Sequence, residues 1–149
     1  MNVHMIEEFI RCREDIEYFA RYFSKDEDKN LVEILHSAIF KEHKVHVILM
    51  DTVSRAQLAI EDVRRMMSCL PSFFFKTISN NRSEIKFENN SVIISRRVDP
   101  NNIRGRACHM IYVRHGKTPD MTVRDFWYSC APLAVSARCK MLGDTYGIA

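Results

Sequence analysis

Four arginines, Arg96, Arg97, Arg104 and Arg106, crowd around one polar turn, and their chemistry is that of phosphate contact. A solvated basic loop is the other outcome for such a cluster. Gly116-Lys117-Thr118 is the one Gly-Lys-Thr in the chain. A phosphate-cradling loop, however, requires G-x-x-x-x-G-K-[ST], and the preceding glycine, Gly105, lies eleven residues earlier. Glu42, His43 and His46 have metal-ligand chemistry, yet at this spacing into a strand the two histidines point to different faces. Metal sites also need three or four convergent ligands, so no metal centre is expected. Cys108-His109 pairs a nucleophile with a base, but adjacent strand residues face opposite ways, which predicts a structural thiol and a surface histidine. The other cysteines, Cys12, Cys69, Cys130 and Cys139, are scattered without a C-x-x-C pair. Free thiols in a reducing cytoplasm are expected, and neither a disulfide framework nor a zinc knuckle.

The elements that must position these residues fit within 149 residues, about one domain. Four glycines and four prolines exclude a collagen-like or linker-like chain. No apolar run approaches the ~18–20 residues that span a bilayer, and the N-terminus lacks a secretory pattern, so no membrane association is expected. The net charge of +3 conceals a split. Residues 1–75 carry ten Lys/Arg against thirteen Asp/Glu, whereas residues 76–149 carry twelve against six. A basic second half suits phosphate or nucleic acid, or is a solvated surface.

Ile6, Phe9, Ile10, Ile16, Phe19, Ala20 and Phe23 share a helical face, and a charged run at 24–30 separates them from a helix over Leu31–Phe40. His43–Met50 reads as a buried strand. Ala56, Ala59, Ile60, Val63, Met66, Met67 and Leu70 recur at helical spacing, with Ser54 and Gln57 as a capping box and Pro71 as the stop. Strands at 84–87 and 91–95 flank a Glu88-Asn89-Asn90 turn, predicting a hairpin. His109–Arg114 reads as a strand, Val123–Cys130 as a helix capped by Thr122 and Asp125, and Arg138–Leu142 as a last strand. Phe73-Phe74-Phe75 is core filler or an exposed anchor. Interleaved helices and strands predict an α/β layered fold in one domain over 1–149, with a helical segment at 1–40 and an α/β body at 43–149.

Several stretches resemble the ATPase domain of tailed-phage large terminase subunits. Ser83–Ile93 is similar to the family's "S-x-I-x-F-x-N-G-S-x-I" hairpin, and Asp99–Gly105 to its "S-P-D-A-V-R-G" loop. His109–Val113 is similar to the apolar strand leading into the Walker B acidic pair. Phe126-Trp127 with Ala131-Pro132-Leu133 resembles the "W…P" helix beyond it. Cys12–Ala20 resembles the family's N-terminal segment, and Val47–Pro71 its strand-helix unit. The resemblance covers most of the chain in pieces. It implies an incomplete P-loop-NTPase-like layered sheet with flanking helices and a β-hairpin, and a role in packaging viral DNA.

The family's chemistry uses ATP and Mg²⁺, held by a phosphate loop and an acidic strand end. The Walker A pattern is missing here, and the interval before Val45 is too short for its strand and helix. Loss of that unit predicts an unpaired sheet edge, with self-association or low solubility. Arg114-His115 stands where the family has its acidic pair, and a cation does not ligate Mg²⁺. The resemblance makes Arg104 a phosphate-binding candidate, or else a partner of Asp99. Thr145 and Gly147 loosely match the coupling loop; Asp144 and Tyr146 do not. No nuclease domain is expected. The sequence thus predicts a fragment or degenerate form of the terminase ATPase domain, unable to hydrolyse ATP alone. Its partners would be double-stranded DNA and terminase or portal subunits in the host-cell cytoplasm. The alternatives are a non-catalytic decoy that binds terminase subunits, and a basic DNA-binding module using Arg96, Arg97 and Arg106.

Overall fold

A computed structural model of the chain describes residues 2–97, 108–114 and 139–143. Helices α1 (Val3–Glu14), α2 (Ile16–Ala20) and α3 (Lys29–Phe40) lead into strand β1 (Val45–Met50) and helix α4 (Val53–Ser68). A 3-10 turn, Ser72–Phe74, precedes β2 (Thr77–Asn80), β3 (Glu84–Phe87) and β4 (Val92–Arg97). β5 (Met110–Val113) and β6 (Lys140–Gly143) follow.

The strands form one sheet in the order β2-β3-β4-β1-β5-β6. β4, β1, β5 and β6 run parallel, while β3 is antiparallel to both β2 and β4. Among the described residues the parallel strands are contiguous, and the open edges are β2 and β6.

His46, Ile48 and Met50 of β1 share a level with Ile93 and Ser95 of β4, and this face packs on α3 and α4. Ile34, Leu35, Ile60, Val63 and Met66 complete that core layer, all at 0% exposure. Val47, Leu49, Ile94, Ile111 and Val113 on the opposite face are buried as well. Burial on both faces explains why β1 reads as a continuous apolar run and not as an alternation.

Several boundaries differ from the sequence reading. The expected helical face through Phe23 is cut at Asp15, whose carboxylate caps a second helix by accepting from the Glu17 and Tyr18 N–H groups. The cap of α4 is Thr52, not Ser54: the Thr52 hydroxyl accepts from the Arg55 N–H at 3.1 Å. One residue earlier the strand has just ended, so Thr52 occupies the extended position a cap requires. α4 stops at Ser68, short of Pro71. His43 lies outside β1 and turns the chain at φ 57°. The hairpin stands as expected, with Asn90 at φ 67° in its turn. The three phenylalanines belong to no strand; the 3-10 turn buries Phe74 and leaves Phe73 and Phe75 half-buried. β2 carries no strand pattern in sequence, because Thr-Ile-Ser-Asn is short and largely polar.

Candidate functional site at the carboxyl ends of the parallel strands

Open α/β sheets bind ligands beyond the carboxyl ends of their parallel strands. Register brings Met50, Arg97, Val113 and Gly143 to that end, followed directly by Asp51 after β1 and Arg114 after β5. Arg114 leaves the sheet on its helical side. Its Nη1 meets Asp62 Oδ2 of α4 at 2.8 Å and its Nε meets Asp28 Oδ2 at 3.4 Å. The Tyr112 hydroxyl donates to the same Asp28 oxygen at 2.5 Å, while the other Asp28 oxygen caps α3 through the Asn30 N–H. Arg65 extends the array, bonding Asp62 at 2.7 Å and Glu27 at 2.5 Å.

Three carboxylates and two guanidiniums thus tie β5, α4 and the start of α3 together. Burial opposes charge on Arg114, but the Asp62 hydrogen bond and the charges of Asp62 and Asp28 outweigh it and raise its pKa. Burial likewise pushes Asp62 up, and the bonds from Arg114 and Arg65 overcome it to hold the carboxyl below its ordinary value. Tyr112 rises to about 12 through burial and its bond to Asp28. The guanidinium of Arg114 is engaged in an ion-pair network. It offers a metal no oxygen, and its carboxylate neighbours are already paired.

Asp51 is a feature the sequence reading missed. Its side chain is only 6% exposed; Oδ2 accepts from Arg55 at 2.6 Å, and Oδ1 is buried without a hydrogen-bond partner. An acid between a buried apolar strand and a helix cap was the available signal. Arg96 uses Nη1 on the Ser83 and Ser95 carbonyls at 3.3 and 3.2 Å. Arg97 is exposed at the strand end. The structure therefore brings Arg96, Arg97 and Arg114 to one end of the sheet. Arg104, Arg106, His115 and Thr145 lie outside the described residues, as do the stretches read from sequence as a loop at 99–105 and a helix at 123–130, Gly116-Lys117-Thr118 and Gly147.

The remaining clusters resolve into structure. His46 is fully buried: its Nδ1 donates to the Val92 carbonyl at 2.9 Å, which leaves Nε2 to accept from the Ser37 hydroxyl at 2.8 Å. This serine–histidine pair has no route to a substrate. Burial, with lesser contributions from nearby cations and His109, lowers its pKa to about 4. His43 and Glu42 are exposed and do not converge with it. His109 is half-buried, and its Nδ1 accepts from the Val45 N–H at 2.9 Å, so it serves the sheet end more than the surface. Cys108 is buried. Among the described residues no group of three or more metal-ligating side chains occurs, and no helix is long and apolar enough to cross a membrane.

Neither a comparison with protein-family models nor one with curated proteins gives a match. Solved structures do. An arginine-to-alanine mutant of the large terminase ATPase domain of Thermus phage P74-26 aligns with a TM-score of 0.58 at 14% identity, covering 76% of this chain and 52% of that one. The same domain without that substitution aligns at 0.53 and 15%, covering 76% and 51%. This chain thus spans about half the length of the structures it matches. Its mixed six-stranded sheet with flanking helices is the α/β fold of phage large terminase ATPase domains, as the hairpin and strand-helix patterns of the sequence implied.

Proposed function

We propose that this chain is a viral DNA-packaging protein, a degenerate form of the terminase large-subunit ATPase domain that does not hydrolyse ATP by itself. The observation that carries this reading is Arg114. At the strand end where the resemblance calls for an acid to hold Mg²⁺, the chain has a cation engaged by Asp62 and Asp28. Its work would then be done by contact: with terminase or portal subunits in the host-cell cytoplasm, and with double-stranded DNA through the basic second half. Arg104 and Thr145 are the residues we assign to any phosphate contact, and Arg96, Arg97 and Arg106 to DNA.

Turnover and binding assays on the purified chain test this. With millimolar ATP and Mg²⁺ we expect neither hydrolysis nor nucleotide binding, together with co-purification with a full-length terminase subunit or portal. Mg²⁺-dependent turnover by the chain alone would overturn the proposal. A DNA-only reading draws on Arg96, whose hydrogen bonds go to backbone carbonyls and leave its charge in place. Duplex affinity falling steeply with salt, without capture of any packaging subunit, would favour it.

A further inference from the structure

Helix α1 carries three of the six large hydrophobic side chains that stand exposed among the described residues: Val3 at 66%, Ile6 at 44% and Ile10 at 36%. Their i, i+3, i+7 spacing puts them in one stripe along the helix. Ile6 and Ile10, with Phe9 of the same helix, also form one wall of an apolar cleft of about 510 Å³, whose other walls are Phe73, Phe75 and Phe87. Lys76 and Glu88 stand at its rim. Asn89, the remaining polar neighbour, is turned to the helix α3 carbonyls of Ala38 and Ile39. The cleft therefore lacks the convergent polar groups that orient a small molecule. Its shape and chemistry fit an amphipathic helix with aliphatic anchors one turn apart.

We propose that the occupant is α1 of a second copy of this chain, in a two-fold dimer. Stripe and cleft share Ile6 and Ile10 on one surface, which is what an isologous interface demands: the two α1 helices pack on each other and each covers its partner's cleft. The charges agree. Glu7 flanks the stripe on one side and Arg13, in a long 3.9 Å pair with Glu14, on the other, all exposed, so the rim's Lys76 and Glu88 each meet an opposite charge on the incoming helix. The cleft lies by the hairpin turn that enters β4, at the amino ends of the parallel strands. The dimer leaves their carboxyl ends open. This inference stands on α1 and the cleft alone, independent of the packaging reading.

Sedimentation equilibrium of the full chain across a concentration series tests it, with circular dichroism to check folding. We expect a reversible monomer–dimer equilibrium that Ile6→Glu and Ile10→Glu each weaken by at least about tenfold. Both side chains are already over a third exposed, so the fold should tolerate the change. Leu58→Glu, the same alteration at a 62% exposed site on α4, should leave association unchanged. A chain monomeric at every concentration would overturn the proposal, as would a dimer that survives Ile6→Glu or dissolves with Leu58→Glu. Binding of an amphipathic peptide in the cleft of a monomeric chain would overturn it in favour of a foreign helix.

Discussion

Arg114→Asp would restore the charge sign that the family resemblance calls for, yet it would set a third carboxylate against Asp28 and Asp62 where a guanidinium now pairs with both. Removing one partner of a fully buried ion pair costs about 3–5 kcal/mol. Here the side chains are 20–28% exposed, so a loss of about 2–4 kcal/mol is expected, read as a lower urea midpoint. A variant as stable as the parent would show that the network contributes nothing. Titration offers a second residue-scale measurement. His46 is held at about 4 in the fold against an ordinary 6.5, so the native state favours its neutral form. The associated stability is fully present above pH 6.5 and declines as pH falls toward 4, by up to about 3 kcal/mol. His36 and His109 are also lowered by burial and act in the same direction. His46→Asn should make the slope of unfolding free energy between pH 6.5 and 4 shallower; an unchanged slope would assign it elsewhere. The sequence exposed the cation at position 114 but not its role. Tyr112 and Asp28 are 84 positions apart, and Arg114 and Asp62 are 52, so only the folded sheet and helices bring them together.

Between elements, the hairpin turn is tied to the end of α3. The Asn89 amide donates to the Ala38, Ile39 and Lys41 carbonyls at 3.0–3.1 Å, satisfying acceptors that a helix end leaves unpaired. Its own oxygen accepts from the Ser91 N–H at 2.9 Å, holding the turn that Asn90 closes with positive φ. Asn89→Ala would strip both halves of this tie and should destabilise the chain by about 1–3 kcal/mol in a denaturant titration. Asn89→Asp is the sharper comparison, because it keeps the acceptor and replaces the donors with a charged oxygen that repels the same carbonyls; equal stability of Asp and Asn would refute the tie. Local patterns made α4 and the hairpin readable, since helical spacing and a paired asparagine act within a few residues. The α4 cap was misread because Thr52 and Ser54 are both competent and only the strand's end decides between them. The break at Asp15 went unseen because apolar positions on either side of it continue the same period.

Across the whole molecule, layering was legible and pairing was not. Alternating helix and strand patterns implied an α/β sheet, but nothing local says that β1 sits between β4 and β5. The basic bias of residues 76–149 reaches the carboxyl ends through Arg96 and Arg97. The central position of β1 also governs how the fold can form. Its partners lie far along the chain; the Val45 N–H, for example, waits for His109, 64 residues later. Loops of that length close slowly and are closed before any strand contact rewards them. During synthesis, Val45–Met50 emerges as a bare apolar strand long before β4 and β5 exist to flank it. Only α3 and α4, which bracket it in sequence and share its core face, are close enough to shelter it in the meantime. Until β4 and β5 form, α3 and α4 can therefore cover only the Ile48 and Met50 face of β1, and Val47 and Leu49 stay bare.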